Sequence, residues 1–182
     1  MVQRWIVTAL GKDRPGIVAG VTRILYRLGC NLEDSAMTRL EGEFAIMLIF
    51  SGSSRISADR LQRAFRPLEG RALGLVVQLK PLTKAETGTP KKRGETCVIS
   101  VYGADRPGIV YHMSEALARA RVNITDVHTH RSATGGPSLY LTLLEVELPP
   151  RRSPDSLEAT LKRVAKRLRV EVSVRPSETA VL

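Results

Sequence analysis

Hydrophobic positions in the first half of the chain alternate between two periods. Short apolar runs rich in β-branched residues predict strands. These strands are predicted at 3–9, 31–40, 44–50 and 73–79. Apolar residues recur at helical spacing from Ile17 to Leu28 and again from Leu61 to Leu68, which predicts a helix in each segment. The predicted order is therefore strand, helix, strand, strand, helix, strand.

The second half repeats this order. Its strands are predicted at 96–102, 123–131, 138–147 and 170–174. Helical stripes begin at Ile109 and at Leu157. We therefore predict an α+β fold made of two ferredoxin-like βαββαβ modules, each an antiparallel sheet with helices on one face. Since such a sheet leaves its other face and its edges open, we also expect a homodimer.

Residues at the ends of the first predicted helix agree with its boundaries. Pro15 suits the first turn of a helix, because no backbone N–H is needed there. Gly29 suits the helix end. The second copy has Arg121 in place of this glycine.

The second helix of each copy has its own signals. Ser57 and Ser153 are expected to cap the N-termini of these helices. Pro67 is expected to end or kink the helix of the first copy early. Tight turns are predicted across "EGE" in the first copy and "ATGGP" in the second.

The chain contains an internal repeat. "GKDRPGIVAG" at Gly11–Gly20 returns as "GADRPGIVYH" at Gly103–His112, an offset of 92 residues that holds without a gap from Trp5 to Asp34. Duplication of one module explains this register. The segment around "TKAETGTPKKRG" is poor in apolar residues, which is typical of a linker. We predict a first domain at 1–80, a linker at 81–94, a second domain at 95–176 and a tail at 177–182.

The repeated D-R-P-G tetrad lies where a strand gives way to a helix. The start of a helix presents unpaired N–H groups and partial positive charge, which can hold a carboxylate. An aspartate or an asparagine amide can hold an ammonium, so a free amino acid fits both. The candidate ligand-binding residues are Gly11, Asp13 and Asn31, and Gly103, Asp105 and Asn123.

Each candidate also has a structural interpretation. The aspartates can cap the helix, the glycines can let the chain turn, and the asparagines can occupy turns. In one module the asparagine lies at the far end of the helix from the tetrad. A second module packed antiparallel would bring the two together.

The tetrad, the following helix and the segments "NLED" and "NITD" resemble the ACT domain, an amino-acid-binding regulatory module. The resemblance covers both halves outside the linker and tail. A tandem pair of this length without a catalytic domain resembles the glycine cleavage system transcriptional repressor group. This implies contacts from the six candidate residues to a small amino acid, glycine or serine. It also implies a non-enzymatic regulator that acts through a protein partner, a transcription activator.

Two alternative functions remain open, and net charge bears on the first of them. The chain carries a formal charge of +10, divided as +5 over 1–82, +3 over 83–94 and +2 over 95–182. The helix segment "LKRVAKRLR" has a basic face that could contact phosphates. Direct nucleic-acid binding is therefore an alternative function, and a regulatory subunit of an amino-acid metabolic enzyme is another.

The sequence contains no common catalytic motif, and its cysteines and histidines do not form a metal-binding pattern. Cys30 and Cys97 are interpreted as buried thiols, and His128 and His130 as residues on one face of a strand without a third metal ligand. We expect no catalytic residue, no metal and no cofactor. The N-terminal segment has no signal-peptide pattern and no apolar run reaches the ~20 residues that a bilayer needs, so we expect a cytoplasmic protein.

Overall fold

The computed structural model describes residues 2–70, 73–83, 94–132 and 138–177. The chain divides into two compact units, residues 1–89 and 90–182. Most of the predicted linker, 84–93, lies outside the described residues, as do 178–182 of the predicted tail.

The first unit is a four-stranded antiparallel sheet with two helices. Its elements are β1 (Val2–Lys12), α1 (Ile17–Arg27), β2 (Asn31–Leu40), β3 (Glu43–Ser53), α2 (Ala58–Glu69) and β4 (Val76–Leu82). The strand order is β2-β3-β1-β4, which places β2 and β4 at the edges. The predicted βαββαβ order is confirmed.

The second unit repeats the first. Its elements are β5 (Thr96–Ala104), α3 (Ile109–Arg119), β6 (Asn123–Ser132), β7 (Leu139–Glu147), α4 (Pro154–Leu168) and β8 (Val170–Pro176). The strand order is β6-β7-β5-β8. The prediction of two ferredoxin-like modules is therefore confirmed.

Each unit has its own core between sheet and helices. In β1, Trp5, Val7 and Ala9 are buried while their neighbours are more open, the period of two expected for a sheet with one covered face. Helix α1 buries Ile17, Val21 and Leu25 against them, and other residues complete the cluster. The equivalent core in the second unit centres on Ile99, Met113, Leu117, Leu144 and Leu161.

Strand β2 has the predicted bounds, whereas several other strands are longer or shifted in the structure. β1 runs on through Gly11 to Lys12, and β5 runs on to Ala104. β4 begins at Val76, three residues later than predicted, because Gly74 with φ of 61° turns the chain first. It then continues beyond 80, and its Pro81 is tolerated because β4 is an edge strand.

The helix after each tetrad begins with its apolar stripe, at Ile17 and at Ile109. Gly16 has φ of 96° and Gly108 has φ of 93°, a left-handed conformation that cannot continue into a helix. Helices α1 and α3 therefore start one residue after these glycines. The placement of Pro15 in the first helical turn is wrong, since Pro15 lies in the preceding turn.

Of the two alternatives predicted for Pro67, an early end of its helix is wrong. Helix α2 passes through Pro67 and ends at Glu69. Proline removes one backbone hydrogen bond, but Leu68 packs against the core and its carbonyl accepts from the Leu75 N–H at 3.0 Å. The predicted serine caps are confirmed: the Ser57 and Ser153 hydroxyls accept from backbone N–H groups three residues ahead.

The chain reverses after α1 and α3 in the same way, with different residues. Gly29 has φ of 66°, so its predicted role at the helix end is confirmed. Arg121 occupies the equivalent place with φ of 56°. The predicted turn at "EGE" is confirmed, with positive φ at Glu41 and Gly42. The "ATGGP" turn lies outside the described residues.

Candidate functional site

Each tetrad loop is attached to the neighbouring hairpin. The Asp13 N–H donates to the Gly42 carbonyl at 2.9 Å, at the turn between β2 and β3. The Asp105 N–H donates to the Ser138 carbonyl at 2.9 Å, at the start of β7. The end of the central strand, the start of the helix and the hairpin thus meet at one end of each sheet.

The tetrad aspartates do not cap their helices. The Asp13 carboxylate accepts from the Arg39 guanidinium at 3.2 Å, and the Asp105 carboxylate lies 3.5 Å from the Arg131 guanidinium. No side-chain hydrogen bond caps α1 or α3, whose N-cap residues are glycines. The interpretation of these aspartates as helix caps is therefore wrong, and each forms an ion pair with an arginine near the end of an edge strand, β2 or β6, instead.

These two ion pairs create a mixed electrostatic environment. Each aspartate side chain is about a third exposed, at 31% for Asp13 and 29% for Asp105, whereas the arginines are more than two-thirds exposed. An exposed pair of this kind contributes little to stability, ~0–1 kcal/mol. A carboxylate, a guanidinium and a positive helix end lie together, which suits a ligand carrying both charges.

The sequence prediction missed Arg39 and Arg131. Both lie outside the segment over which the repeat was compared, which stopped at Asp34 and Asp126. Continuing the offset of 92 pairs Arg39 with Arg131 as identical residues, and this was the signal available. Only the strand register shows that β2 and β6 return these arginines to the tetrad loop.

Asn31 and Asn123 lie at the other end of each sheet. Asn31 pairs with Ser51, whereas Arg39 pairs with Phe44 on the same strand. Seven positions of β3 separate Phe44 from Ser51, which is roughly 23 Å at about 3.3 Å per residue. Neither unit therefore brings its asparagine to its own tetrad.

The asparagines are also not turn residues. Both begin strands, both are exposed, and neither has a positive φ. Within the described parts of the chain their side-chain amides have no hydrogen-bond partner. Just beyond each lies a β-bulge at Glu33 or Thr125, so the two copies keep the same irregular strand start.

Gly11 and Gly103 allow close packing inside the sheet. Both lie in paired strands, so their interpretation as turn residues is wrong. A Cβ at Gly103 would lie 2.8 Å from Cγ1 and 3.1 Å from Cα of Val170. A Cβ at Gly11 would lie 2.8 Å from Cδ2 of Leu75 and 3.2 Å from the Gly74 carbonyl oxygen.

The cysteines and histidines were considered in the sequence as thiols and possible metal ligands, and the structure gives their surroundings. Burial raises the pKa of the Cys30 thiol, an effect that nearby Arg60 partly offsets, and burial together with Glu95 raises the pKa of the Cys97 thiol. His128 lies 2.9 Å from the Asp126 carboxylate. Across residues 2–70, 73–83, 94–132 and 138–177, no group of three His, Cys, Asp or Glu side chains is placed to hold a metal ion.

None of the helices that the structure describes is long and apolar enough to cross a bilayer.

Comparison with known families matches both units to one family. The profile of the ACT domain matches residues 3–80 and 95–175, most of the chain. A glycine cleavage system transcriptional repressor from Escherichia coli is 34% identical over 122 residues, which cover 67% of this chain and 62% of that protein. This chain thus aligns with less than two thirds of that relative's length, and the predicted resemblance to both groups is confirmed.

Two solved structures share the fold over nearly the whole chain. A protein of unknown function from Galdieria sulphuraria has a TM-score of 0.81 at 24% identity, covering 97% of this chain and 99% of that one. A candidate glycine cleavage system transcriptional repressor has a TM-score of 0.69 at 19% identity, covering 97% and 98%. At these identities the likeness establishes the fold alone.

Proposed function

The chain belongs to the ACT domain family, and from that membership we propose that it is a regulatory protein without catalytic activity that senses a small amino acid. The observation that carries the proposal is the repeated ion pair, Asp13 with Arg39 and Asp105 with Arg131, beside a helix start that no side chain caps. Glycine and serine are the ligands we propose, because a small side chain fits an open loop.

The chemistry of each loop matches a zwitterion. The ligand's ammonium donates to the aspartate carboxylate, and its carboxylate accepts from the first-turn N–H groups and the arginine. Hydrogen bonds between such charged groups contribute roughly 1.5–3 kcal/mol each, which is enough to hold a molecule as small as glycine. Gly16 and Gly108 have no side chain that could compete for these N–H groups.

A second module would complete the site. Asn31 begins the edge strand β2, and Arg39 lies near its end. We propose a homodimer in which β2 of one copy pairs antiparallel with β2 of another, which would bring Asn31 of one copy close to Arg39 and Asp13 of the other. All ten residues of β2 are exposed, and this leaves the edge free for such pairing.

Binding at such a shared site would be coupled to assembly. A ligand held by two copies favours the paired state, and a protein partner that prefers this state then responds to the amino acid. The likeness to a transcriptional repressor supports a role in the control of transcription. We propose a transcription activator as that partner and the cytoplasm as the location. Control of transcription would then be indirect.

Removing both tetrad carboxylates tests the site. Asp13→Ala combined with Asp105→Ala should abolish saturable binding of glycine and serine in calorimetry, because the ligand's ammonium loses its acceptor.

Asn31→Ala combined with Asn123→Ala should weaken binding by about tenfold, the equivalent of ~1.4 kcal/mol and of one hydrogen bond to a charged group. Far-UV circular dichroism should be unchanged in all of these variants.

The matched control removes two aspartates elsewhere. Asp59→Ala with Asp155→Ala takes the same charge from the first turns of α2 and α4, away from the tetrads. This variant should bind like the native chain. Unchanged affinity in the tetrad variant, or an equal loss in the control, would contradict the site assignment.

A further inference from the structure

The helix layer of the second unit contains a groove with an unusual lining. It lies between α3 and α4 and has a volume of about 530 Å³. Among the described residues, four arginines and no carboxylate line it: Arg119 from α3, Arg152 before α4, and Arg163 and Arg167 from α4. Ala116, Ala120, Thr160 and Val164 complete the lining, and we call this feature the arginine groove.

The arginine groove exists because small residues replace large ones. At the offset of 92, Ala116 corresponds to Ile24 of the first unit, and Ala120 corresponds to Leu28. Ile24 and Leu28 pack against the core of the first unit. Two side chains that fill the first unit are thus reduced to methyl groups in the second, and space opens between its helices.

A third replacement introduces charge at a buried position. The serines that cap α2 and α4 align the two units here, and each is preceded by a residue that turns inward. In the first unit this residue is Ile56, which is 6% exposed and belongs to the core. In the second unit it is Arg152, which is partly buried. A guanidinium at such a place is costly unless it meets an anion or ample acceptors.

The contacts of Arg152 within the protein do not provide an acceptor for each of its hydrogen-bond donors. Its Nη1 donates to the Ala120 carbonyl at 3.4 Å and its Nη2 to the Thr160 hydroxyl at 3.5 Å, both long. Its Nε is buried and meets no acceptor among the described residues. Arg152 is therefore held in place, while its Nε–H donor has no acceptor among the described residues.

The other arginines leave the groove strongly positive. Arg163 also donates to the Thr160 hydroxyl at 3.5 Å, and Arg119 pairs with Glu115 at 2.8 Å. Arg167 has no ion pair with any described carboxylate. By contrast Lys162, on the same helix but outside the groove, pairs with Glu158 at 3.0 Å.

We propose that the arginine groove binds a phosphorylated small molecule with at least two phosphate groups, of the class of a nucleoside di- or triphosphate. Arginine suits phosphate because its planar fork of donors remains charged at any physiological pH. Guanidinium groups on both walls can hold more than one phosphate, and Ala116, Ala120 and Val164 offer an apolar surface to the rest of the molecule. This site is separate from the tetrad loops and does not depend on them.

Calorimetry on the full chain with ATP, pyrophosphate and adenosine tests the proposal. ATP should bind saturably with one site per chain, pyrophosphate should bind more weakly, and adenosine should give no heat. Arg163→Gln with Arg167→Gln should reduce ATP affinity on the order of 100-fold, at roughly tenfold for each charge-assisted contact. Arg152→Ile, which copies the first unit, should also weaken binding and leave the fold intact.

Lys162→Gln with Lys166→Gln is the matched control, because it removes the same charge at the same spacing from the same helix. This variant should stay within about threefold of the native chain, the change expected of exposed charges. Equal losses in both double variants would mean general charge attraction and would overturn the site. No binding of ATP would overturn it too, as would a single-stranded oligonucleotide binding to the arginines while ATP does not.

Discussion

Ile17→Ala is expected to lower the free energy of unfolding of the first unit by about 2–5 kcal/mol, the range for truncating a buried isoleucine. Ile17 is 1% exposed and is the first residue of α1, directly after the left-handed Gly16. It ties the start of the helix to the core, so its loss should also loosen the tetrad loop. Ile109, 2% exposed, holds the same place in the second unit and should behave alike.

The neighbouring valine is the control. Val18 is 41% exposed and Val110 is 37% exposed, although both are as much a part of the repeated motif as the isoleucines. Val18→Ala should change stability by no more than about 0.5 kcal/mol, since alanine is also the better helix former. Urea denaturation measures both variants. Equal effects at Ile17 and Val18 would contradict the packing described for α1.

Gly103→Ala is expected to lower the free energy of unfolding by about 1–3 kcal/mol, the usual effect of forcing a methyl group into a packed site. The new Cβ would meet the backbone of Val170, a paired strand residue, and a β-branched side chain that cannot rotate away easily. Gly11→Ala should have a smaller effect, because the atom at 2.8 Å is the tip of the flexible Leu75 side chain.

Gly70→Ala provides the comparison, since among the described residues its Cβ would meet an ordinary contact of 3.7 Å to the Pro67 carbonyl oxygen and nothing closer. That variant should be close to neutral in thermal or urea denaturation. If Gly103→Ala left stability unchanged and altered only ligand binding, the packing role assigned to this glycine would be wrong.

The element order was predictable because apolar residues in each unit alternate along the strands and recur at helical spacing along the helices. Strand residues such as Trp5, Val7 and Ala9 alternate with more exposed neighbours, and the stripe of α1 repeats at helical spacing. Because the module is duplicated, the pattern that predicts each element occurs twice in the chain. Local signals failed where tertiary packing outweighed them, as at Pro67, where helix α2 continues to Glu69 and the partly buried Leu68 packs against the core.

The site was only partly predictable. The tetrad and the asparagines were identified from the repeat, but the partner of Asp13 was not, because Arg39 is distant in sequence and only the sheet register brings it back. The role of Gly11 also depends on what lies beside it in space, here Leu75. Contacts across a sheet depend on strand order, which a pattern of apolar residues leaves unspecified.

Calorimetric titration of the native chain with the common amino acids shows whether it senses a small amino acid, as we propose. Saturable heat is expected for glycine or serine, and charged and large aromatic amino acids should give none. If no amino acid bound at millimolar concentration while the chain was folded, the proposed sensing function would be wrong.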